Sequence, residues 1–382
     1  MKHLTRFDVK GFRGIRNLTL NNLSTVNLLV GDNNCGKTSV LESMMLLTNL
    51  ESMYGTLLTS IIRDYNVINA NISEFSKLYD MFPKSQTDTL TIEIAGLLNE
   101  IEYEYKVTGQ IKNVLIDLNS DKYVKNSYVN IYKRMLNKLN KNQGLTQINN
   151  IETNEFHGVI CNKINNKVVF EKQIELNKFL TLFDNRLIPK ELNIDYVAPA
   201  EHLYGEYINN YIDNLEYKKI VLDLLKIFDK NIDNVLYTKS DLSNELIPSV
   251  EHKLLGIMPL YTFGDGLKRV LLFANEIAKV RGGILLIDEI ETAIHNRYLE
   301  DILNFLCVAS KRLDIQIFAT THSMETIDTL LKVQEYDKND SEDIVRIITL
   351  RKDEKNLLTK SRVLEGRKAY QRRTDLNYEV RL

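Results

Sequence analysis

The spacing of hydrophobic and polar residues predicts two regular blocks separated by a less regular segment. In the first block, residues 4–9 alternate and residues 26–30 form a short apolar run, which predicts two strands before a helix at 38–47. From residue 193 onward, apolar runs alternate with amphipathic segments, with strands predicted at 194–197, 284–288 and 316–320 and helices at 217–228, 267–280, 298–311 and 324–333. This alternation is typical of a parallel sheet with helices on both faces.

The segment between the two blocks, residues 51–190, is rich in Asn, Lys and Tyr. Its predicted elements are strands at 89–95, 102–107 and 168–174 and a helix at 128–139. A last pair of strands is predicted at 344–350 and 357–364. We therefore predict an α/β protein in which 1–50 and 191–382 form one discontinuous domain and 51–190 is an inserted α+β region.

Composition adds limits on cellular context. The chain of 382 residues is 44% hydrophobic and 26% charged, as in ordinary globular proteins. Its 49 Lys and Arg nearly balance 51 Asp and Glu, so the net charge does not demand a nucleic-acid partner. Cys35, Cys161 and Cys307 lack disulfide or zinc spacing, the start lacks a signal peptide, and no apolar run reaches the ~18 residues of a membrane span. We expect a cytoplasmic protein with no membrane partner.

The strongest chemical signal is GDNNCGKT at residues 31–38, which follows an apolar strand, opens a helix and matches GxxxxGK[ST]. Gly31 and Gly36 leave room for backbone N–H groups to approach phosphate oxygens, and the helix N-terminus adds partial positive charge. We expect Lys37 to reach the β- and γ-phosphates of a nucleotide and Thr38 to bind Mg²⁺. The other loop residues expected to contact the nucleotide are Asn33, Asn34, Cys35 and Ser39.

Two acids, Asp288 and Glu289, end the apolar strand at 284–288. Because a buried unpaired carboxylate is costly, this strand end should face a cation or solvent. We expect Asp288 to hold Mg²⁺, directly or through water, and Glu289 to polarise the attacking water. His322 follows the next strand and is placed to hydrogen-bond the γ-phosphate. The alternative is that His322 only caps the helix that follows it.

Gly264, Asp265 and Gly266 precede the helix predicted at 267–280. One interpretation is a glycine turn capped by Asp265, a good N-cap residue. The other is a second helix N-terminus offered to the γ-phosphate of a neighbouring subunit. The order of the motifs along the chain favours the second interpretation.

Taken together and in this order, GDNNCGKT, TFGDGLKR, ILLIDEIETAIH and ATTHS resemble the ABC-type ATPases of the SMC, RecF and OLD group. In particular, the set is similar to short stand-alone "AAA family" ATP-binding proteins of bacterial phage-defence systems, over about residues 1–50 and 193–335. The resemblance implies an ATPase head that binds ATP and Mg²⁺, with Glu289, His322 and Lys37 as catalytic residues. It also implies a head-to-head dimer, in which 264–266 complete the partner's site and 291–295 cross the interface. The opening GFRGI resembles the group's N-terminal turn, which would bring Arg13 towards the nucleotide.

Some features depart from the family pattern. Gly264 replaces the usual serine of the signature, and Gln86 is a weak match to the glutamine that senses Mg²⁺. No heptad pattern persists, which argues against an SMC rod. Only 60 residues follow His322, too few for the nuclease domain of OLD proteins. The signature also lacks the Ser-Gly-Gly strings of transporter ATPases.

The leading hypothesis is an ATP-driven sensor in a phage-defence or DNA-maintenance system, which forms a homodimer or higher homo-oligomer and acts with a separate effector, a nuclease or toxin. The alternative is a RecF-like ATP-dependent DNA-binding repair protein that needs no effector. Residues 121–142 hold six basic residues against one acid, and residues 351–382 hold ten against five. DNA binding is one explanation of these segments, and solvated charged faces are the other.

Overall fold

The computed structural model describes residues 3–51, 56, 59, 73–84, 89–120, 133, 150–180, 192–203, 215–239, 246–336, 342–353, 358–376 and 379–381. Three sequence predictions fall wholly or almost wholly on residues that the structure does not describe. They are the helix at 128–139, the candidate Gln86, and the basic segment at 121–142, of which Lys133 alone is described.

Six strands form a largely parallel sheet. Their spatial order is β15 (Thr359–Glu365), β14 (Val345–Lys352), β3 (Val26–Val30), β13 (Gln316–Thr320), β12 (Ile284–Ile287) and β8 (Ile194–Val197). Only the edge strand β15 pairs antiparallel; every other pairing in this sheet is parallel. The predicted α/β class and the final strand pair are therefore confirmed.

Both faces of this sheet are buried, as the continuous apolar runs predict. On β12, Leu285 and Ile287 pack into one hydrophobic core, whereas Ile284 and Leu286 pack into a second core on the other face. Helices cover the first of these faces, and α1 together with a second sheet covers the other. The helices have the bounds α1 Lys37–Met44, α2 Glu74–Tyr79, α3 Leu215–Phe228, α4 Asp265–Lys279, α5 Asn296–Leu313, α6 Met324–Lys332 and α7 Gly366–Leu376, of which α2 contacts the second sheet. Within the described ranges, no helix is both long and apolar enough to cross a bilayer.

A second sheet is antiparallel and lies against α1. Its spatial order is β2 (Ile15–Asn21), β1 (Leu4–Phe12), β4 (Leu90–Leu98), β5 (Ile101–Asp117), β6 (Asn150–Ile164) and β7 (Lys167–Asn177). β1 pairs directly with β4, so strands from before and after residue 50 share one sheet. The division into a discontinuous domain and an inserted region at 51–190 stays a prediction.

A small third sheet precedes α4. It contains β9 (Ile232–Lys239), β10 (Leu246–His252) and β11 (Gly256–Pro259), paired antiparallel in the order β11-β10-β9. A short 3₁₀ turn at Leu260–Thr262 then leads into α4. The N-terminus of α4 therefore follows directly on the last strand of this small sheet.

Candidate nucleotide-binding site

The loop between β3 and α1 requires glycine at two positions. Gly31 has a φ of 135°, and a Cβ there would collide with the backbone carbonyl of Leu350 on β14. Gly36 is the N-cap of α1 with a φ of 103°, a left-handed conformation that side chains rarely adopt. Asn34 also lies in the left-handed region, with a φ of 62°. The backbone is therefore wrapped tightly around the N-terminus of α1, as anion binding there requires.

Lys37 extends back over this loop. Its Nζ donates to the carbonyl oxygens of Gly31 and Asp32 at 2.8 Å each, and it lies 3.5 Å from Nδ1 of His322. Burial lowers the pKa of Lys37, and the neighbouring Cys35, Asp288 and Asp32 offset only part of this loss of water. Cys35 packs 3.8 Å from the same ammonium group. A phosphate group at this position would supply the negative charge that favours the ammonium form.

Asp288 lies at the carboxyl end of β12, opposite the first turn of α1. The hydroxyl of Thr38 donates to its two carboxylate oxygens at 3.2 and 3.0 Å. Tyr196 on β8 and Thr320 on β13 donate to the same carboxylate at 3.1 and 2.5 Å. The neighbouring strands thus fix Asp288 beside Thr38.

This arrangement fits Mg²⁺ chemistry. Mg²⁺ prefers oxygen ligands and is usually held by one or two protein groups together with substrate phosphates. Thr38 and Asp288 supply one hydroxyl and one carboxylate within hydrogen-bonding distance of each other. In the part of the chain that the structure describes, no cluster of three or more His, Cys, Asp or Glu forms an all-protein metal cage.

Glu289 adopts an uncommon backbone conformation. Its φ is 48°, in the left-handed region, which is costly for a side chain of this type. Its N–H donates to the hydroxyl of Thr320 at 2.8 Å, and its carboxylate accepts from Thr292 at 3.0 Å. These contacts turn the Glu289 side chain away from the sheet and into the cleft beside the phosphate loop.

His322 lies just beyond β13 and borders the same cleft. The cleft has a volume of about 570 Å³ and is lined by residues 31–33, Glu289, His322, Glu379 and Arg381. The N–H of His322 donates to Glu291 at 3.0 Å, while Ser323 provides the N-cap of α6. Because Ser323 performs the capping, the alternative explanation of His322 as a helix cap loses its support.

Two sequence-predicted groups lie apart from this cleft. Gly264 is the N-cap of α4, Gly266 is in its first turn, and exposed Asp265 pairs with Lys268 at 3.0 Å. Among the described residues, no hydrogen bond or ion pair joins 264–266 to the phosphate loop. Arg13 forms an ion pair with the buried carboxylate of Glu42 on α1 at 2.5 Å, and it is not among the residues that line the cleft.

The sequence analysis missed one buried cation, Arg269 of α4. Its side chain is fully buried and donates to the carbonyl oxygens of Ala198 at 2.5 Å, Asp288 at 3.1 Å and Glu289 at 3.4 Å. Burial lowers the pKa of Arg269 to about 10, so the group remains protonated at neutral pH. Arg269 therefore connects the helix that begins at Gly264 with the backbone of the acidic pair. The only sequence signal was a basic residue on the apolar face of a predicted helix.

Comparison with known proteins finds ATPase families. A family model described as "AAA domain, putative AbiEii toxin, Type IV TA system" matches residues 162–328, and an "AAA ATPase domain" model matches residues 1–54. An "ATP/GTP phosphatase" of Helicobacter pylori is 21% identical over 348 residues, covering 85% of this chain and 86% of that protein. The "Uncharacterized protein MJECL11" of Methanocaldococcus jannaschii is 33% identical over 103 residues, covering 27% of this chain and 87% of that protein.

Solved structures were also found. An SMC head bound to the C-terminal winged-helix domain of ScpA has a TM-score of 0.49 and 11% identity, covering 97% of this chain and 99% of that one. The ATPase assignment rests on the sequence families, and the fold class rests on the observed strand order.

The phosphate loop, the acidic strand end and the largely parallel sheet between them, together with the matched AAA ATPase-domain models, identify the protein as an ATPase. Models for AAA ATPase domains match two parts of the chain, and these matches, together with the relative from Helicobacter pylori, support the hydrolysis of ATP as its reaction.

Proposed function

We propose that the protein is a cytoplasmic ATP-driven switch that dimerises head-to-head around ATP. The observation that carries this proposal is the separation of residues 264–266 from the phosphate loop within one chain. Gly264 exposes the N-terminus of α4, and a Cβ added there would meet nothing within 4 Å. An uncovered helix N-terminus favours an anion, so a second copy can offer its α4 to the nucleotide held by the first.

Each predicted residue has a role in this proposal. Residues 31, 33–36 and 39 surround the phosphates with backbone N–H groups, and Lys37 neutralises the terminal phosphates. Thr38 and Asp288 hold Mg²⁺, which compensates the charge that develops on the phosphate oxygens during transfer. Glu289 orients and polarises the attacking water, and His322 hydrogen-bonds the γ-phosphate. Arg13 acts on the nucleotide site indirectly, through its ion pair with Glu42 on α1.

We further propose that the switch serves a phage-defence or DNA-maintenance system and acts on a separate effector, a nuclease or toxin. The description of the matched family, which names a putative AbiEii toxin of a type IV toxin–antitoxin system, supports a role of this kind. The alternative is a RecF-like repair protein whose residence on DNA depends on ATP. Binding of DNA by the purified chain alone, lost at high salt and dependent on ATP, would favour that alternative.

The variant Gly264→Trp tests the composite site. The space around Gly264 and its φ of −66° both accept a side chain, so the monomer should fold normally. We expect the variant to bind ATP like the wild type, to form no ATP-dependent dimer, and to lose ATP hydrolysis. The matched control is Val308→Trp, at a position that is 57% exposed on α5. Normal dimer formation by Gly264→Trp would refute the head-to-head arrangement.

A further inference from the structure

A segment far along the chain closes one side of the nucleotide cleft. Val380 is fully buried, and its carbonyl accepts a hydrogen bond of 2.6 Å from Thr349 on β14. This anchor places the two flanking side chains, Glu379 and Arg381, on the wall of the cleft that residues 31–33, Glu289 and His322 also line. From the sequence, this segment was noted only as the end of the basic stretch 351–382, without a role in the cleft.

Arg381 is held in a fixed orientation. Its Nε and Nη2 donate to the two carboxylate oxygens of Glu379 at 2.8 and 3.0 Å, and its Nη1 donates to the carbonyl of His322 at 3.0 Å. The paired carboxylate raises the pKa of Arg381, and the guanidinium lowers the pKa of Glu379 through the same hydrogen bonds. Both groups are therefore charged at neutral pH.

The charges around the cleft change when a nucleotide enters. Without a nucleotide, Arg381 is balanced by Glu379, and Asp32 contributes further negative charge nearby. A triphosphate brings several negative charges to the same wall, and a phosphate group can accept two parallel bonds from a guanidinium, as a carboxylate does. Phosphate oxygens then compete with Glu379 for the same donors, while the carboxylate is repelled.

We propose that Arg381 binds the terminal phosphate of ATP in its own subunit, and that Glu379 holds this guanidinium when the nucleotide is absent or lacks that phosphate. The assignment rests on the proposed nucleotide cleft and adds a phosphate-recognition residue to it. Because Arg381 also bonds the carbonyl of His322, its transfer to a phosphate changes a contact at the start of α6. The segment would thereby report the presence of the γ-phosphate to the loop between β13 and α6.

The test compares affinities for a non-hydrolysable ATP analogue and for ADP, both measured by calorimetry with Mg²⁺. A charge-assisted hydrogen bond is worth enough to change an affinity about tenfold or more. We expect Arg381→Ala to weaken binding of the ATP analogue by about that factor and to change ADP binding by less than about twofold. Glu379→Gln should have the opposite effect on the analogue and tighten its binding, because the competing charge is removed.

The matched control is Arg6→Ala, which removes an arginine that is half exposed and paired with Asp8 on β1 at 2.8 Å. It should leave both affinities unchanged. Equal weakening of ATP analogue and ADP by Arg381→Ala, or loss of thermal stability with no change in either affinity, would overturn the proposal. If Lys37→Ala abolishes nucleotide binding and Gly264→Trp blocks the dimer while Arg381→Ala is neutral, this inference fails and the proposed function stands.

Discussion

Replacing Arg269 with methionine tests whether the buried guanidinium holds the acidic pair in place. The change would leave the carbonyl oxygens of Ala198 and Asp288 without their closest donor, at 2.5 and 3.1 Å, and would also remove the weaker contact to Glu289. A buried acceptor left unsatisfied costs about 1–3 kcal/mol, whereas the carbonyl of Ala198 still accepts from the N–H of Glu201 at 3.3 Å, so the gross loss is about 2–4 kcal/mol. The methionine avoids the burial of a charge, which offsets part of this loss, and we expect a net destabilisation of about 2 kcal/mol.

We expect Arg269→Met to lower the rate of ATP hydrolysis more strongly than it lowers the stability of the fold. Without Arg269, the carbonyl of Glu289 loses one of the contacts that stabilise its left-handed backbone, whose φ is 48°. That conformation costs about 1–3 kcal/mol, so the backbone is expected to relax and move the carboxylate. Since Arg269 does not line the cleft, we expect kcat to fall about tenfold or more while ATP affinity changes less than about threefold.

The assay combines thermal unfolding, steady-state ATP hydrolysis and calorimetric ATP binding on Arg269→Met and on Arg6→Met. Arg6 lies in an exposed ion pair with Asp8, and such pairs contribute about 0–1 kcal/mol. A midpoint of unfolding lowered by about 2–3 °C is expected for a chain of this size. Unchanged stability and unchanged kcat in Arg269→Met would show that this arginine does not support the acidic pair.

Three further predictions follow from single contacts. Burial raises the pKa of Glu201 to about 7 in the folded protein. The contribution of this carboxyl to the free energy of unfolding is therefore fully present below its pKa in the unfolded chain, and it is lost as pH rises through about 7. Glu201→Gln should therefore gain stability over the wild type between pH 5 and pH 8 in thermal unfolding, and a constant difference would contradict this. Thr320→Val removes the hydroxyl that donates to Asp288, and we expect kcat to drop about tenfold with ATP binding retained; weaker binding with normal kcat would contradict it. Gly31→Ala places a Cβ against the carbonyl of Leu350, and nucleotide binding measured by calorimetry should be abolished.

Local sequence patterns predicted the central sheet because its inner strands β3, β12 and β13 are short, largely apolar runs between turn signals. The strand predicted at 316–320 has the observed bounds, and α6 begins at the predicted residue, Met324. The antiparallel sheet was harder to predict. β6 was not predicted, since polar residues such as Asn154 and His157 interrupt its apolar pattern, and its position depends on pairing with β5.

Sequence motifs located the residues of the cleft that follow one another along the chain. Residues whose contact partners lie far away along the sequence were not indicated by any motif. Arg269 is one example, because a basic residue on a helix is usually exposed, and its burial becomes visible only when Ala198 and Asp288 are placed beside it. Arg381 is another, since 59 residues separate it from its contact at His322.

The central claim is that two copies close around ATP and that Glu289 is required to open them again by hydrolysis. The most direct measurement is the mass in solution, with and without ATP and Mg²⁺, of the wild type, Lys37→Ala and Glu289→Gln. We expect Glu289→Gln with ATP to shift from the 44.3 kDa monomer to a stable dimer or larger assembly, and Lys37→Ala to bind no nucleotide and to stay at 44.3 kDa. Normal ATP hydrolysis by Glu289→Gln, together with a mass that never responds to nucleotide, would contradict the account.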